Sequence, residues 1–192
     1  MSIVSDDPTA PLDLARFGGD ARALGFADFC TRHGSAFLLH HGALDPERKA
    51  LRPQQTMVMR RSEAPPPGGV GSRPAASDAA KSMSGLLVYP IRNTGRSPFP
   101  RIVTVGRTKN NDVALADISI SKFHAFFKEE GGQLYLADGE SRNGTFVDGQ
   151  RALTTKQGKA TLLKGGCHVK FGALEFRFID AKELIALVRQ FA

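Results

Sequence analysis

Beyond residue 85 the chain repeats one pattern: short runs of alternating or continuous apolar residues, each closed by a cluster of Gly, Asn or Asp. Leu86–Ile91, Arg101–Val105, Val113–Leu115, His124–Glu129, Gln133–Asp138, Gly144–Val147, Thr161–Leu163, His168–Phe171 and Leu174–Ile179 all read as strands. The turn signals between them are KNND, EEGG, DGESRNG, VDGQ, LKGG and FGA, and no helical period intervenes. Such a series predicts an antiparallel sandwich or barrel. At Asp180 the period changes: Leu184, Ile185, Leu187, Val188 and Phe191 make an amphipathic stripe, with Asp180 as its N-cap, predicting a C-terminal helix.

The region before residue 62 is patterned differently. Leu24, Phe26, Ala27 and Phe29 sit near a 3.6-residue period, which predicts a helix over Asp20–His33 with Gly34 as its C-cap. SAFLLH (Ser35–His40) and TMVMR (Thr56–Arg60) are short strand candidates. Between these regions, residues 62–85 are rich in Pro, Gly, Ser and Ala and hold too little apolar surface to offset ordering entropy. The expected organisation is therefore a small α/β N-terminal extension (1–61), a flexible linker (62–85), a β domain (86–180) and a C-terminal helix (181–192) packed on it.

Composition narrows the setting. At 41% hydrophobic, the 192 residues can build a core, so wholesale disorder is excluded. The two cysteines, Cys30 and Cys167, lie far apart, which predicts free thiols rather than a disulfide framework. The acidic N-terminus lacks a signal-like apolar core, and no stretch approaches the ~18 apolar residues of a spanning helix, so the expected location is cytoplasmic, away from membranes. Of the formal charge of +7, residues 86–192 carry +6 (16 Lys and Arg against 10 Asp and Glu). The β region therefore attracts anions.

Three stretches at strand ends hold the candidate chemistry: VGRT, ISKFHA and SRNGT. Arg107 follows Gly106, and a guanidinium grips two phosphate oxygens at once. Ser121 offers a hydroxyl donor and Lys122 a point charge, while Arg142 and Asn143 add a cation and an amide. No carboxylate lies within the three stretches, so they suit an anion receptor rather than an acid–base centre. Asn143-Gly144 is also the favoured pair for a type I′ hairpin turn.

The ordered set Gly106-Arg107, Ser121-Lys122-Phe123-His124 and Asn143-Gly144 resembles the forkhead-associated (FHA) family, over roughly residues 86–180. The resemblance implies a mainly β, antiparallel FHA-like sandwich of about 10–11 strands that binds phosphothreonine peptides without catalysis or cofactor. It implies Arg107 and Ser121 as ligands to phosphate, with Lys122 beside them and Arg142 touching phosphate or peptide. Asn143 would bond the peptide main chain, while Gly106, His124 and Gly144 would shape the loops. Partners would be phosphothreonine proteins, Ser/Thr kinases or their substrates, and self-recognition through phosphorylated Thr9 is a further expectation.

Other chemistries fit less well. Ser119 and Lys122 spell S-x-x-K, but the companion motifs of serine acyl enzymes are absent and no helix follows. Ser121 and His124 have no identifiable orienting acid. Cys30, His33, His40 and His41 form the one metal-like cluster, yet adjacent His40 and His41 would face opposite sides of a strand, so no metal site is expected. The alternative function is a basic nucleic-acid-binding β domain, but the cations are scattered, Trp is absent and no groove helix is evident.

Overall fold

The computed structural model describes residues 12–41 and 86–191. The expected strand at Thr56–Arg60, the expected linker at 62–85 and Thr9 lie outside the described residues. The chain begins with β1 (Leu12–Asp13), a 3-10 turn (Leu14–Phe17), α1 (Gly18–Ala23), α2 (Phe26–His33) and β2 (Ala36–His41). After the undescribed segment come β3 (Leu86–Pro90), β4 (Val103–Gly106), β5 (Val113–Ala114), β6 (Ala125–Glu130), β7 (Gln133–Asp138) and β8 (Thr145–Val147). The series ends with β9 (Gln150–Arg151), β10 (Thr161–Leu162), β11 (His168–Phe171), β12 (Leu174–Asp180) and α3 (Ala181–Phe191).

Two sheets face each other. One runs β1-β3-β2-β12-β11-β8-β9 and the other β10-β7-β6-β4-β5, antiparallel throughout except for the parallel β4–β5 pair. Alternate residues of both point inward: Tyr89, Val105, Phe127, Leu136, Val169, Phe171 and Phe176 form the sandwich core, each at most 2% exposed. The larger sheet also buries part of its outer face. There Phe17, Phe29, Phe37, Leu39, Val88, Ile179, Leu184 and Val188 form a second core beneath α1, α2 and α3.

This second core explains the continuous apolar run of SAFLLH. β2 lies between β12 and β3, pairing Leu38 with Phe178 on one side and with Tyr89 on the other. A strand buried on both faces needs apolar residues at successive positions rather than alternation. The N-terminal segment thus supplies a central strand of the sandwich's own sheet. His40 is buried with it, its Nδ1 2.7 Å from the Glu175 carbonyl.

The helix expected over Asp20–His33 is two helices. Leu24 closes α1 through its N–H to Asp20 O, and Gly25 restarts the chain in an extended conformation as the N-cap of α2. Gly34 ends α2 at φ +99°, its N–H donating to Cys30 O. At α3, Asp180 Oδ1 accepts from Glu183 N (2.8 Å) and Glu183 Oε2 accepts from Asp180 N (3.1 Å), a reciprocal capping box. Arg189 then ties α3 to α1 by donating Nε and Nη2 to Ala21 O.

Candidate functional site

Four chain segments meet at one end of the sandwich: the exits of β4, β7 and β11 and the entry to β6. Arg107, Ile118, Ser119, Ile120, Ser121, Lys122, Phe123, Arg142 and Asn143 line one open depression there, of about 360 Å³. All five residues assigned to ligand contact by sequence are among them, from loops up to 36 positions apart. No Asp or Glu lines it, and among the described residues Arg107, Lys122 and Arg142 form no ion pair. The depression is therefore an uncompensated cationic surface edged with donors.

The β4 exit and the β6 entry are zipped together. Arg107 N donates to Ser121 O (2.9 Å) and His124 N to Val105 O (2.8 Å). Asn111, 3% exposed, folds the Arg107 loop by donating Nδ2 to Thr108 O (2.8 Å) and Lys122 O (2.7 Å). Gly106 sits inside this contact. A Cβ there would lie 2.2 Å from Lys122 O and 2.6 Å from Asn111 Nδ2, so close approach of two backbones demands the glycine.

His124 is fully buried and bridges two loops. Its Nδ1 accepts from Ser121 N (3.1 Å), which leaves the proton on Nε2 to donate to Gly144 O (3.1 Å). Burial lowers its pKa, with the Gly144 hydrogen bond and the Asp138 charge acting in the opposite direction. The imidazole is thus held neutral, in the one tautomer that serves both partners.

Ser121 Oγ accepts from Arg142 N (3.1 Å), which leaves its hydroxyl hydrogen available to a further acceptor. Asn143 donates Nδ2 to Ser119 O (2.7 Å), and its Oδ1 has no partner among the described residues. Asn143-Gly144 is not the two-residue hairpin turn its sequence permits. The turn with positive φ at both central residues is Asp148-Gly149 (+48° and +79°), which joins β8 to β9. Of the pair, only Gly144 has positive φ (+81°), and Glu140 (+60°) shares its loop.

Sequence reasoning passed over three buried acids that hold these loops. Asp138 accepts from Ser141 Oγ (2.7 Å), Ser141 N (3.0 Å) and Thr145 Oγ1 (2.7 Å), and Ser141 Oγ in turn accepts from Gly144 N (3.0 Å). Asp117 Oδ1 accepts from Ser119 N (2.8 Å) and Oγ (2.6 Å), while Ser119 Oγ accepts from Ala173 N (3.0 Å). Asp112 Oδ1 accepts from Thr94 N and Oγ1 (each 2.7 Å), and its Oδ2 from Thr104 N and Oγ1 (each 2.9 Å). Each carboxylate turns inward onto loop donors, Asp117 through Oδ1 with its Oδ2 buried and unpartnered among the described residues, and none reaches the cations outside. The available signal was an Asp at a strand end or in the following loop with Ser or Thr within the next seven residues, as in Asp138-Ser141-Thr145 and Asp117-Ser119. With Ser119 engaged on every polar atom, the S-x-x-K reading has no nucleophile to offer.

The FHA domain model matches residues 103–172, the span from β4 to the end of β11. An oxoglutarate dehydrogenase inhibitor of Corynebacterium efficiens is 30% identical over 101 residues, covering 50% of this chain and 70% of that protein. This chain belongs to the FHA family. A glycogen accumulation regulator of Mycolicibacterium smegmatis is 28% identical across 61% of this chain and 72% of its own length. An ABC transporter ATP-binding/permease protein of Mycobacterium tuberculosis is 36% identical over 117 residues, 61% of this chain but 13% of that protein. The FHA chain thus spans most of the two regulators and a small part of the transporter. The sandwich expected from the strand series is present, with twelve strands among the described residues.

Proposed function

We propose that this FHA protein is a non-catalytic receptor for phosphothreonine segments of other proteins, acting after Ser/Thr kinases in the cytoplasm. The observation that carries the reading is the convergence of Arg107, Ser121, Lys122, Arg142 and Asn143 on one depression whose lining holds no carboxylate. A phosphate dianion placed there meets three cations and a hydroxyl whose lone pair is already occupied by Arg142 N, which favours donation outward. Arg107 and Ser121 hold the phosphate, with Lys122 and Arg142 completing its charge. Asn143 Oδ1 accepts a peptide N–H, its amide fixed by Ser119 O so that the register of the peptide is set in advance. Gly106, His124 and Gly144 keep the loops in place without touching ligand. Residues 86–180 carry the site, and the N-terminal extension supports it through β2.

The test is a fluorescence titration with a phosphothreonine peptide library, its unphosphorylated counterpart and single- and double-stranded oligonucleotides. The wild-type chain should take the phosphopeptides alone, and Arg107→Ala should abolish that binding with an unchanged melting temperature. Unchanged binding by Arg107→Ala, or oligonucleotide binding that phosphopeptide does not displace, would overturn the assignment. The first outcome removes Arg107 as the clamp, and the second points to a nucleic-acid ligand.

A further inference from the structure

Three phenylalanines lead away from the phosphate-binding depression along the outer side of the smaller sheet. Phe123 belongs to the depression's own lining and is 37% exposed. Its ring stacks on that of Phe126 (centroids 6.2 Å apart, planes at 19°) and meets that of Phe99 at 6.4 Å. Phe99 is 50% exposed and Phe126 half-buried on β6, on the same face as its cross-strand partners Thr104 and Ala137. Exposed aromatics scattered singly carry no message, but a contiguous row opening from a ligand depression marks an interaction surface.

The row is also rigidly presented. Phe123 lies against Gly139, where a Cβ would come within 2.5 Å of its ring. The Phe99 turn is pinned by Phe99 N–H to Ser97 Oγ (3.2 Å) and by Asn93 Nδ2 to Phe99 O (3.2 Å) and Ile102 O (3.1 Å). The adjoining Thr94 is fastened to Asp112, whose neighbour Asn111 braces the Arg107 loop. One hydrogen-bonded frame therefore holds both the Phe99 turn and the cationic clamp. A ligand touching both pays little ordering entropy on the protein side.

We propose that Phe99, Phe123 and Phe126 form an apolar shelf for a second side chain of the bound peptide. The preferred partner segment then carries an aliphatic or aromatic residue at one fixed distance from its phosphothreonine. This inference rests on the phosphopeptide reading above. The shelf supplies selection among phosphothreonine segments, a task the cationic clamp cannot perform because every such segment offers it the same phosphate.

The experiment is an oriented phosphothreonine peptide library on the full chain and on Phe99→Ala, followed by titration of the selected peptide and of its Ala-substituted form. The wild type should select apolar residues at one flanking position, and replacing that residue by Ala should weaken binding about fivefold to tenfold. In Phe99→Ala the two peptides should bind alike, and the Ala-substituted peptide should bind as it does to the wild type, which also certifies the fold. Phe99→Leu should keep most of the preference. Phosphopeptide binding with no apolar preference overturns the shelf alone, as does a preference undiminished in Phe99→Ala. Sedimentation showing a self-associated chain that Phe99→Ala makes monomeric overturns it too, since the shelf is then an interface between copies. Absence of any phosphopeptide binding by the wild type overturns both the shelf and the receptor reading.

Discussion

Asp138→Ala is the substitution that most directly probes how the site is held. Asp138 is 3% exposed and accepts three hydrogen bonds from its own loop: Ser141 Oγ and Thr145 Oγ1 at 2.7 Å, and Ser141 N at 3.0 Å. Ser141 and Thr145 are themselves 7% and 0% exposed, so their donors have no water to turn to. A hydrogen bond to a charged group contributes roughly 1.5–3 kcal/mol, and a buried donor stranded without one costs about as much. Three bonds to one carboxylate do not add in full, because Ser141 Oγ can re-aim and the loop can shift. The expected loss is therefore about 3–5 kcal/mol, near the top of what single substitutions cause. The assay is urea denaturation followed by circular dichroism with linear extrapolation, at an unchanged m-value. In a Thr145→Val background one stranded donor is already gone, so Asp138→Ala should cost about 1 kcal/mol less there. A loss under about 1 kcal/mol, or full additivity of the pair, would refute the hub role.

Two further outcomes follow from other buried polar groups. The pKa of His124 is lowered by burial, so between its folded value and the unfolded value of about 6.5 the unfolded chain binds the extra proton. Its contribution to stability is complete above pH 6.5 and is lost as pH falls through the folded value. Wild type should thus lose more stability than His124→Gln on acidification from pH 7 to pH 5, and parallel pH profiles would contradict this. The Tyr89 hydroxyl is buried with no partner among the described residues, and burial pushes its pKa well above the ordinary range. Tyr89→Phe should therefore leave stability unchanged or raise it by up to about 1 kcal/mol in the same denaturation assay. A loss above about 1 kcal/mol would show that the hydroxyl is satisfied.

Where the sequence was informative, the signals were local. Apart from β9, each strand from Leu86 onward is bracketed by turn residues a few positions away, and its apolar positions report a buried face, so the boundaries follow to within a residue or two. The Arg107, Ser121 and Asn143 motifs are equally local, each at its own strand end. β9 escaped notice because Gln150–Arg151 is two exposed polar residues with no pattern. The break between α1 and α2 escaped because the apolar spacing continues across Gly25, and a glycine can either be tolerated in a helix or end it.

Composition and spacing by themselves determined an antiparallel sandwich or barrel with a cationic, donor-rich set of loops, and the ordered loop motifs narrowed it to the sandwich. Those properties are carried by neighbours in sequence. The tertiary structure alone decided that β2 enters the sheet between β12 and β3, joining a segment that looked like an appendage to the core. It alone turned Asp112, Asp117 and Asp138 inward onto loop donors, leaving Arg107, Lys122 and Arg142 facing outward together. It also put Phe99 beside Phe123, 24 positions later. The physical reason is the same in each case. Burial on both faces, inward carboxylates and a shared edge are relations between residues far apart in the chain, and local periodicity carries no record of which distant strand or loop will supply the partner.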